Sequence, residues 1–196
     1  MNETTAVYRA HDSYVLSVRF APDGHYLVST GMDNVAKVWS VPSWEWVATL
    51  EGHEKSVNAV ALSPDGSMAA TGSSDQTVRL WSFPEGKPLH TLQDRKQVVS
   101  CVEISADGQW LVAGSYGGRA AIWTLEGRSV LGFKASSKNL SSAVFSPDGS
   151  LLATSGLGDE IQLWNLPTER HRTTLSGHRT AVGALQFIEG GRTLVS

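Results

Sequence analysis

The chain has 196 residues, with 16 Lys and Arg against 19 Asp and Glu, and its formal net charge at pH 7 is −3. This balance excludes the strong positive field with which proteins bind nucleic acid or anionic membranes. The first five residues are polar and no run of eighteen apolar residues occurs, so the sequence predicts neither a signal peptide nor a membrane helix. We therefore expect a soluble cytoplasmic protein that binds neither nucleic acid nor membrane.

Along the chain, a segment of about 42 residues occurs in four successive copies. A Trp ends the third apolar run of each copy, and the four stand 42, 42 and 41 residues apart, at Trp39, Trp81, Trp123 and Trp164. An Asp-Gly turn keeps the same spacing at residues 22–24, 64–66, 106–108 and 147–149, and a degenerate copy follows at 189–191. A period of about 40–45 residues is typical of a four-stranded propeller blade or of a helical pair.

The second repeat distinguishes between these two units. Its β-branched and apolar runs cover residues 57–62, 68–71, 77–81 and 88–92. Short runs between turn signals indicate strands and leave no room for helices. Because Pro presets φ and Gly supplies a positive φ, Pro64-Asp65-Gly66 predicts a hairpin between the first two strands. Each repeat is therefore predicted to be a four-stranded antiparallel meander.

In this pattern of repeats, the chain resembles the WD-repeat β-propeller family. The resemblance rests on Gly52-His53, Ser63-Pro64-Asp65-Gly66, Thr71-Gly72-Ser73, Asp75 and Leu80-Trp81, and Gly177-His178 opens a fifth repeat. The residue after each repeat Trp is Ser, Ser, Thr or Asn instead of Asp, at a position that tolerates change. The resemblance implies an all-β propeller segment with four complete four-stranded antiparallel blades and a partial fifth. The repeats cover residues 10–50, 51–92, 93–133 and 134–175 approximately, with the partial one at 176–196.

The blade count predicts an incomplete ring. The fifth blade should begin at Val182 and stop at Ser196, inside its second strand, while residues 7–11 align with an outer strand whose own blade lies elsewhere. The seven-blade ring that the resemblance suggests would need about 290 residues. We therefore expect a chain truncated from such a ring, and its open sheet edges predict self-association.

Two repeats contain the residues of the family's structural hydrogen-bond tetrad. In that tetrad the Asp accepts from the imidazole, the imidazole meets the hydroxyl, and the hydroxyl meets the indole N–H. The two sets are His11, Ser29, Asp33 and Trp39, and His53, Thr71, Asp75 and Trp81. Because the set recurs and no Gly-x-Ser-x-Gly elbow occurs, we interpret both as scaffold and predict no catalytic residue.

The third and fourth repeats lack a complete tetrad. Ala113 stands at the hydroxyl position of the third repeat, and Ser136 stands at the His position of the fourth. We therefore predict that these two blades depend on the packing of Trp123 and Trp164 alone.

No metal or cofactor is predicted. The six His residues follow the blades instead of a ligand spacing, and there is no cysteine pair. The single Cys101 lies in an apolar run, which favours a small buried hydrophobe over a nucleophile.

The predicted function concerns the surface. In the resembled family, partners bind the rim formed by the loop into the first strand, the start of that strand and the turn between the second and third strands, and loops on a rigid scaffold commonly bind partners. Carried over, the rim positions are Tyr14, Leu16, Met32, Ser56, Asn58, Ser74, Val98, Ser100, Tyr116, Asn139, Ser141 and Leu157. These positions predict a non-catalytic scaffold that binds a protein or peptide. The alternative is a regulatory propeller module of a larger signalling enzyme whose catalytic part lies outside this chain.

Overall fold

The computed structural model of the chain describes residues 9–166, 168 and 170–196. Its first sheet contains β1 (Val15–Phe20), β2 (Tyr26–Gly31), β3 (Ala36–Ser40) and β4 (Trp46–Leu50). The second contains β5 (Val57–Leu62), β6 (Met68–Ser73), β7 (Val78–Ser82) and β8 (Pro88–Leu92). The third contains β9 (Val99–Ile104), β10 (Trp110–Ser115), β11 (Arg119–Thr124) and β12 (Ser129–Lys134). The fourth contains β13 (Leu140–Phe145), β14 (Leu151–Gly156), β15 (Glu160–Asn165) and β16 (Arg170–Ser176).

A small fifth sheet consists of β17 (Gln186–Ile188) and β18 (Thr193–Val195), joined by a short 3₁₀ turn at Glu189–Gly191. Each of the other four sheets is an antiparallel meander in which consecutive strands pair. The prediction of an all-β propeller segment with four complete blades and a partial fifth is therefore confirmed. In the described part of the chain, no helix is long and apolar enough to cross a membrane.

The turns between first and second strands form as the sequence pattern requires. The glycines at residues 24, 66, 108 and 149 have φ of 72°, 68°, 70° and 70°, a conformation that disfavours side chains. In the second sheet, Asp65 closes the turn by accepting hydrogen bonds from the Ser63 hydroxyl at 2.6 Å and from the Ser67 amide at 3.0 Å. These tight turns hold successive strands in register.

The core lies between successive sheets, which pack face to face. Val28 and Leu50 of the first sheet share one cluster with Val60 and Trp81 of the second. Corresponding clusters join the second sheet to the third, the third to the fourth, and the fourth to the small fifth sheet. Because each sheet is apolar on both faces, every blade depends on its neighbours for burial.

A β-bulge recurs near the start of the first strand of each complete sheet. In the second sheet, Val57 pairs with Ser73 and Ala59 pairs with Gly72, so Asn58 is the extra residue. The same irregularity sets apart Leu16, Ser100 and Ser141 in the other three sheets. A bulged residue leaves the ladder and its side chain is turned in a new direction. All four are among the predicted rim positions.

The fifth blade differs from the prediction in one respect. Its first strand begins at Gln186, although we expected it to begin at Val182. In the register of β17 and β18, Gln186 pairs with Val195, so a residue opposite Val182 would have to follow Ser196. Val182 instead donates its amide to the carbonyl of Gly156 at 3.0 Å and is buried against the fourth sheet. Of the predicted outer strand at residues 7–11, residues 7 and 8 lie outside the described residues, and residues 9–11 are not in a strand.

Candidate functional site

The structure brings both predicted tetrads together. In the second sheet, the Trp81 indole donates to the Thr71 hydroxyl at 2.8 Å, Thr71 meets His53 Nε2 at 2.8 Å, and His53 Nδ1 lies 2.8 Å from the Asp75 carboxylate. A carboxylate only accepts, so Nδ1 must donate. The first sheet repeats this chain through Trp39, Ser29, His11 and Asp33, at 2.9, 2.7 and 2.9 Å.

The electrostatics of the second tetrad are those of a structural network. Burial lowers the pKa of His53, although the nearby Asp75 carboxylate acts to raise it. The lowered pKa favours a neutral imidazole. Burial alone would raise the pKa of Asp75, but hydrogen bonds from Thr77, His53 and the Glu54 amide lower it to about 2. Thr71 is fully buried and already accepts from Trp81. A substrate therefore cannot reach this hydroxyl in the folded blade.

Both tetrads also connect the two loops that form the rim. Asp33 accepts from the amide of Asp12 at 3.0 Å, and Asp75 accepts from the amide of Glu54 at 3.1 Å. Each carboxylate lies in the turn between second and third strands, and each amide lies in the loop into the first strand. The network thus holds these two loops at a fixed distance.

The third sheet replaces the tetrad with a different set of contacts. Arg119 forms an ion pair with Asp94 at 2.9 Å, and Ser115 donates to the Gln97 side chain at 3.0 Å. A cavity of about 20 Å³ remains among these residues beside Trp123 and Ala113, which has no hydroxyl to offer the indole. This ion pair could not be predicted from the repeat pattern, because it does not recur in the other repeats.

The fourth sheet keeps half of the tetrad. The Trp164 indole donates to the Thr154 hydroxyl at 3.0 Å, so the prediction that Trp164 depends on packing alone is wrong. Thr154 precedes Trp164 by ten residues, as Ser29 precedes Trp39 and Thr71 precedes Trp81 in their repeats. That spacing was the signal in the sequence. Trp164 also packs against the Phe133 ring, with centroids 4.8 Å apart.

The predicted rim residues lie in pairs at one end of the sheets. In each sheet a backbone hydrogen bond joins the loop into the first strand to the turn between the second and third strands, at 2.9 to 3.0 Å. The pairs are Tyr14 with Met32, Ser56 with Ser74, Val98 with Tyr116, and Asn139 with Leu157. The same backbone hydrogen bond therefore forms the rim in each of the four blades, and only the side chains differ.

Three of the four bulge residues on the rim are engaged within the chain. The Asn58 amide donates to the carbonyl of Val99 at 2.8 Å, in the next sheet. Ser100 donates to the carbonyl of Leu140 at 2.6 Å, and Ser141 to that of Val182 at 2.8 Å. Each bond joins one blade to the next. The fourth bulge residue, Leu16, has an apolar side chain that cannot make this bond.

Large apolar side chains remain exposed on the same rim. The exposed fraction is 77% for Tyr14 and 52% for Tyr116, and Met32, Leu157 and Leu16 are also exposed. Ser56, Ser74, Val98 and Asn139 are half-buried. The accessible part of the rim is thus apolar in the first, third and fourth blades and polar in the second.

Two titratable side chains on β9 have raised pKa values. Burial raises the pKa of the Cys101 thiol to about 12, which disfavours a nucleophilic thiolate. Burial also raises the pKa of Glu103 to about 7, and the positive charge of Arg19 opposes this only in part. Glu103 and Arg19 line a cavity of about 700 Å³ beside the first strands. Within the described residues, no three His, Cys, Asp or Glu side chains are grouped to bind a metal.

The comparisons with known proteins agree with this architecture. A family model described as the IFT122 first beta-propeller matches residues 14–196. The periodic tryptophan protein 2 homolog of Caenorhabditis elegans is 31% identical over 67 residues, which are 34% of this chain. The matched segment covers 7% of that relative's length.

The second tetrad predicts unequal costs for two truncations. His53→Ala should lower the free energy of unfolding by about 1–3 kcal/mol, because the buried Thr71 hydroxyl loses its acceptor and Asp75 loses one of its hydrogen bonds. Ser136→Ala, at the corresponding position of the fourth sheet, should cost much less, since its hydroxyl only accepts from the exposed amide of Lys138. Urea unfolding of both variants measures this difference. Equal shifts of the midpoints would contradict the assignment.

The bulge residues supply a second comparison. Asn58→Ala should cost about 1 kcal/mol, because it removes a hydrogen bond between two blades. Leu16→Ala changes the corresponding bulge of the first sheet, where no such bond exists. It should lower the free energy of unfolding by only a few tenths of the loss expected for Asn58→Ala. Thermal melts of the two variants measure the difference, and a larger loss for Leu16→Ala would show that the bond does not stabilise the blade junction.

Glu103 predicts a pH dependence of stability. Its folded pKa is raised from 4.5 to about 7, so its contribution to stability is full below pH 4.5 and is lost as the pH rises through 7. Glu103→Gln should therefore be more stable than the parent at pH 8, by on the order of 2 kcal/mol after allowance for partial solvent contact, and similar at pH 4.5. Urea unfolding across this range measures the effect. Parallel pH profiles would refute it.

Proposed function

Because the chain belongs to the family of the IFT122 first β-propeller, a WD-repeat β-propeller family, we propose that it is a non-catalytic protein–protein interaction scaffold. Its binding surface is the rim, and its ligand is a protein or peptide with apolar side chains. The observation that supports this proposal most is the exposure of Met32, Tyr116 and Leu157 at one equivalent backbone position of three blades, with the exposed Tyr14 paired to Met32.

The chemistry of these side chains favours a protein partner. Tyr and Met are enriched in protein interfaces, and an aromatic side chain provides a large contact area at a small cost in conformational entropy. Their backbone is held by the loop-to-loop hydrogen bonds, so little ordering is needed when a partner binds. A scaffold also agrees with the burial of the tetrad hydroxyls, which leaves no accessible nucleophile in either tetrad.

The test is an affinity capture with matched variants. We expect Tyr116→Ala to weaken recovery of bound proteins by about tenfold, which corresponds to about 1.4 kcal/mol. Leu89→Ala is the control, since Leu89 is also exposed but lies on the outer strand β8. Quantitative mass spectrometry of the captured proteins measures the loss, and thermal melts of both variants separate binding from folding. Full recovery with Tyr116→Ala together with loss in Leu89→Ala would place the interface on the outer strands.

A further inference from the structure

An apolar cavity of about 140 Å³ lies between the third and fourth sheets. Its walls are formed by the side chains of Trp110, Ile122, Val130, Leu131, Phe145 and Leu166 and by Gly149, and we call it the interblade cavity. Val130, on the outer strand β12, is 41% exposed, so the cavity is accessible from the surface. Phe145 ends β13, the strand whose opposite end follows the rim residue Asn139. The cavity therefore lies at the other end of the blades from the rim.

The same place between the first and second sheets is filled by an aromatic ring. Phe83 follows Trp81 by two residues, as Leu166 follows Trp164, and its amide donates to the carbonyl of Ser67 at 2.9 Å. The Leu166 amide donates in the same way to the carbonyl of Ser150 at 2.9 Å, so the two residues hold equivalent backbone positions. The Phe83 side chain is buried in the cluster between the first two sheets.

The neighbours of the two positions correspond as well. The Phe83 ring meets the edge of Tyr26, the first residue of β2, with centroids 5.6 Å apart. Trp110, the first residue of β10, takes that position beside Leu166. One junction therefore contains a phenylalanine ring where the other contains a leucine and a cavity.

The volume and lining of the cavity specify what it accepts. A dry cavity of about 150 Å³ lined by aliphatic and aromatic side chains binds benzene. Five of the seven residues that line the interblade cavity have pure hydrocarbon side chains, and the other two are Trp110 and Gly149. A hydroxyl or charge inside would therefore lose its hydration with little compensation. A phenyl group fits both the volume and the polarity.

We propose that the interblade cavity binds the phenylalanine side chain of a segment from a partner protein. The chain itself shows a phenylalanine side chain in such a site, because the ring of Phe83, in the turn that follows β7, is buried at the corresponding place between the first two sheets. The site is distinct from the rim and does not depend on partner binding there.

The test uses methyl-labelled protein and short peptide probes observed by NMR. The peptide acetyl-Gly-Ser-Phe-Ser-Gly-amide should cause saturable shifts of the methyl signals of Ile122, Val130, Leu131 and Leu166, whereas the same peptide with Ala in place of Phe should not. Equal shifts with both peptides, or no saturable shift with the Phe peptide, would overturn the proposal. Binding of toluene without binding of the Phe peptide would also overturn it, since the site would then select small molecules.

Two variants of the chain sharpen this test. Leu166→Phe places a phenylalanine ring in the cavity, as Phe83 does between the first and second sheets. It should weaken binding of the Phe peptide at least about tenfold without lowering the melting midpoint. Val130→Lys blocks the entrance from an exposed position and should have the same effect if Leu166→Phe disturbs the fold. Unchanged binding in a folded variant of either kind would refute the site. Phe83→Leu should create a second site, with new shifts at Val38 and Leu62.

Discussion

Face-to-face packing between successive sheets is the interaction on which the other features of this structure depend. The first and second sheets show its effect, because the same positions have different burial in the two. Val57 and Val60 on β5 are 0% and 2% exposed, and the corresponding Val15 and Val18 on β1 are 49% and 50% exposed. The second sheet has a preceding neighbour in this structure and the first does not. Burial is therefore supplied by the neighbour and not by the blade itself.

The polar contacts are added to this apolar framework and vary from blade to blade. The tetrad is complete in the first two sheets, reduced to Trp164 and Thr154 in the fourth, and replaced by the Arg119–Asp94 ion pair in the third. The strand pattern is the same in all four sheets, so the tetrad is not needed to form a blade. What it adds in the first two blades is a connection between the two rim loops. In the third and fourth blades, the backbone bonds of Tyr116 and Leu157 still join those loops.

The sequence predicted the repeated strands, turns and tetrads, and missed several contacts between the blades. Strand order, the turns and both tetrads follow from the period, since a repeated pattern indicates repeated geometry. The Thr154–Trp164 bond could also be predicted from the sequence, because the same spacing of ten residues joins a hydroxyl to the Trp in the first two blades. The Arg119–Asp94 pair, the bonds from Asn58, Ser100 and Ser141, and the cavity beside Leu166 could not be predicted. They depend on which side chains meet across two blades, and on whether their volumes fill the space between them.

Both candidate surfaces lie where the repeats differ while their backbones coincide. At the rim, one backbone hydrogen bond presents Tyr14 and Met32 in the first blade but Ser56 and Ser74 in the second. At the opposite end, one backbone position presents Phe83 at one junction and Leu166 at another. Because the shared packing fixes the backbone, a change of an exposed side chain on the rim alters the surface at little cost to the blade. A smaller side chain at the buried position of Phe83, in contrast, would leave a cavity that costs stability. Differences between equivalent exposed positions are therefore the places in a repeat fold where binding can be gained without a loss of stability.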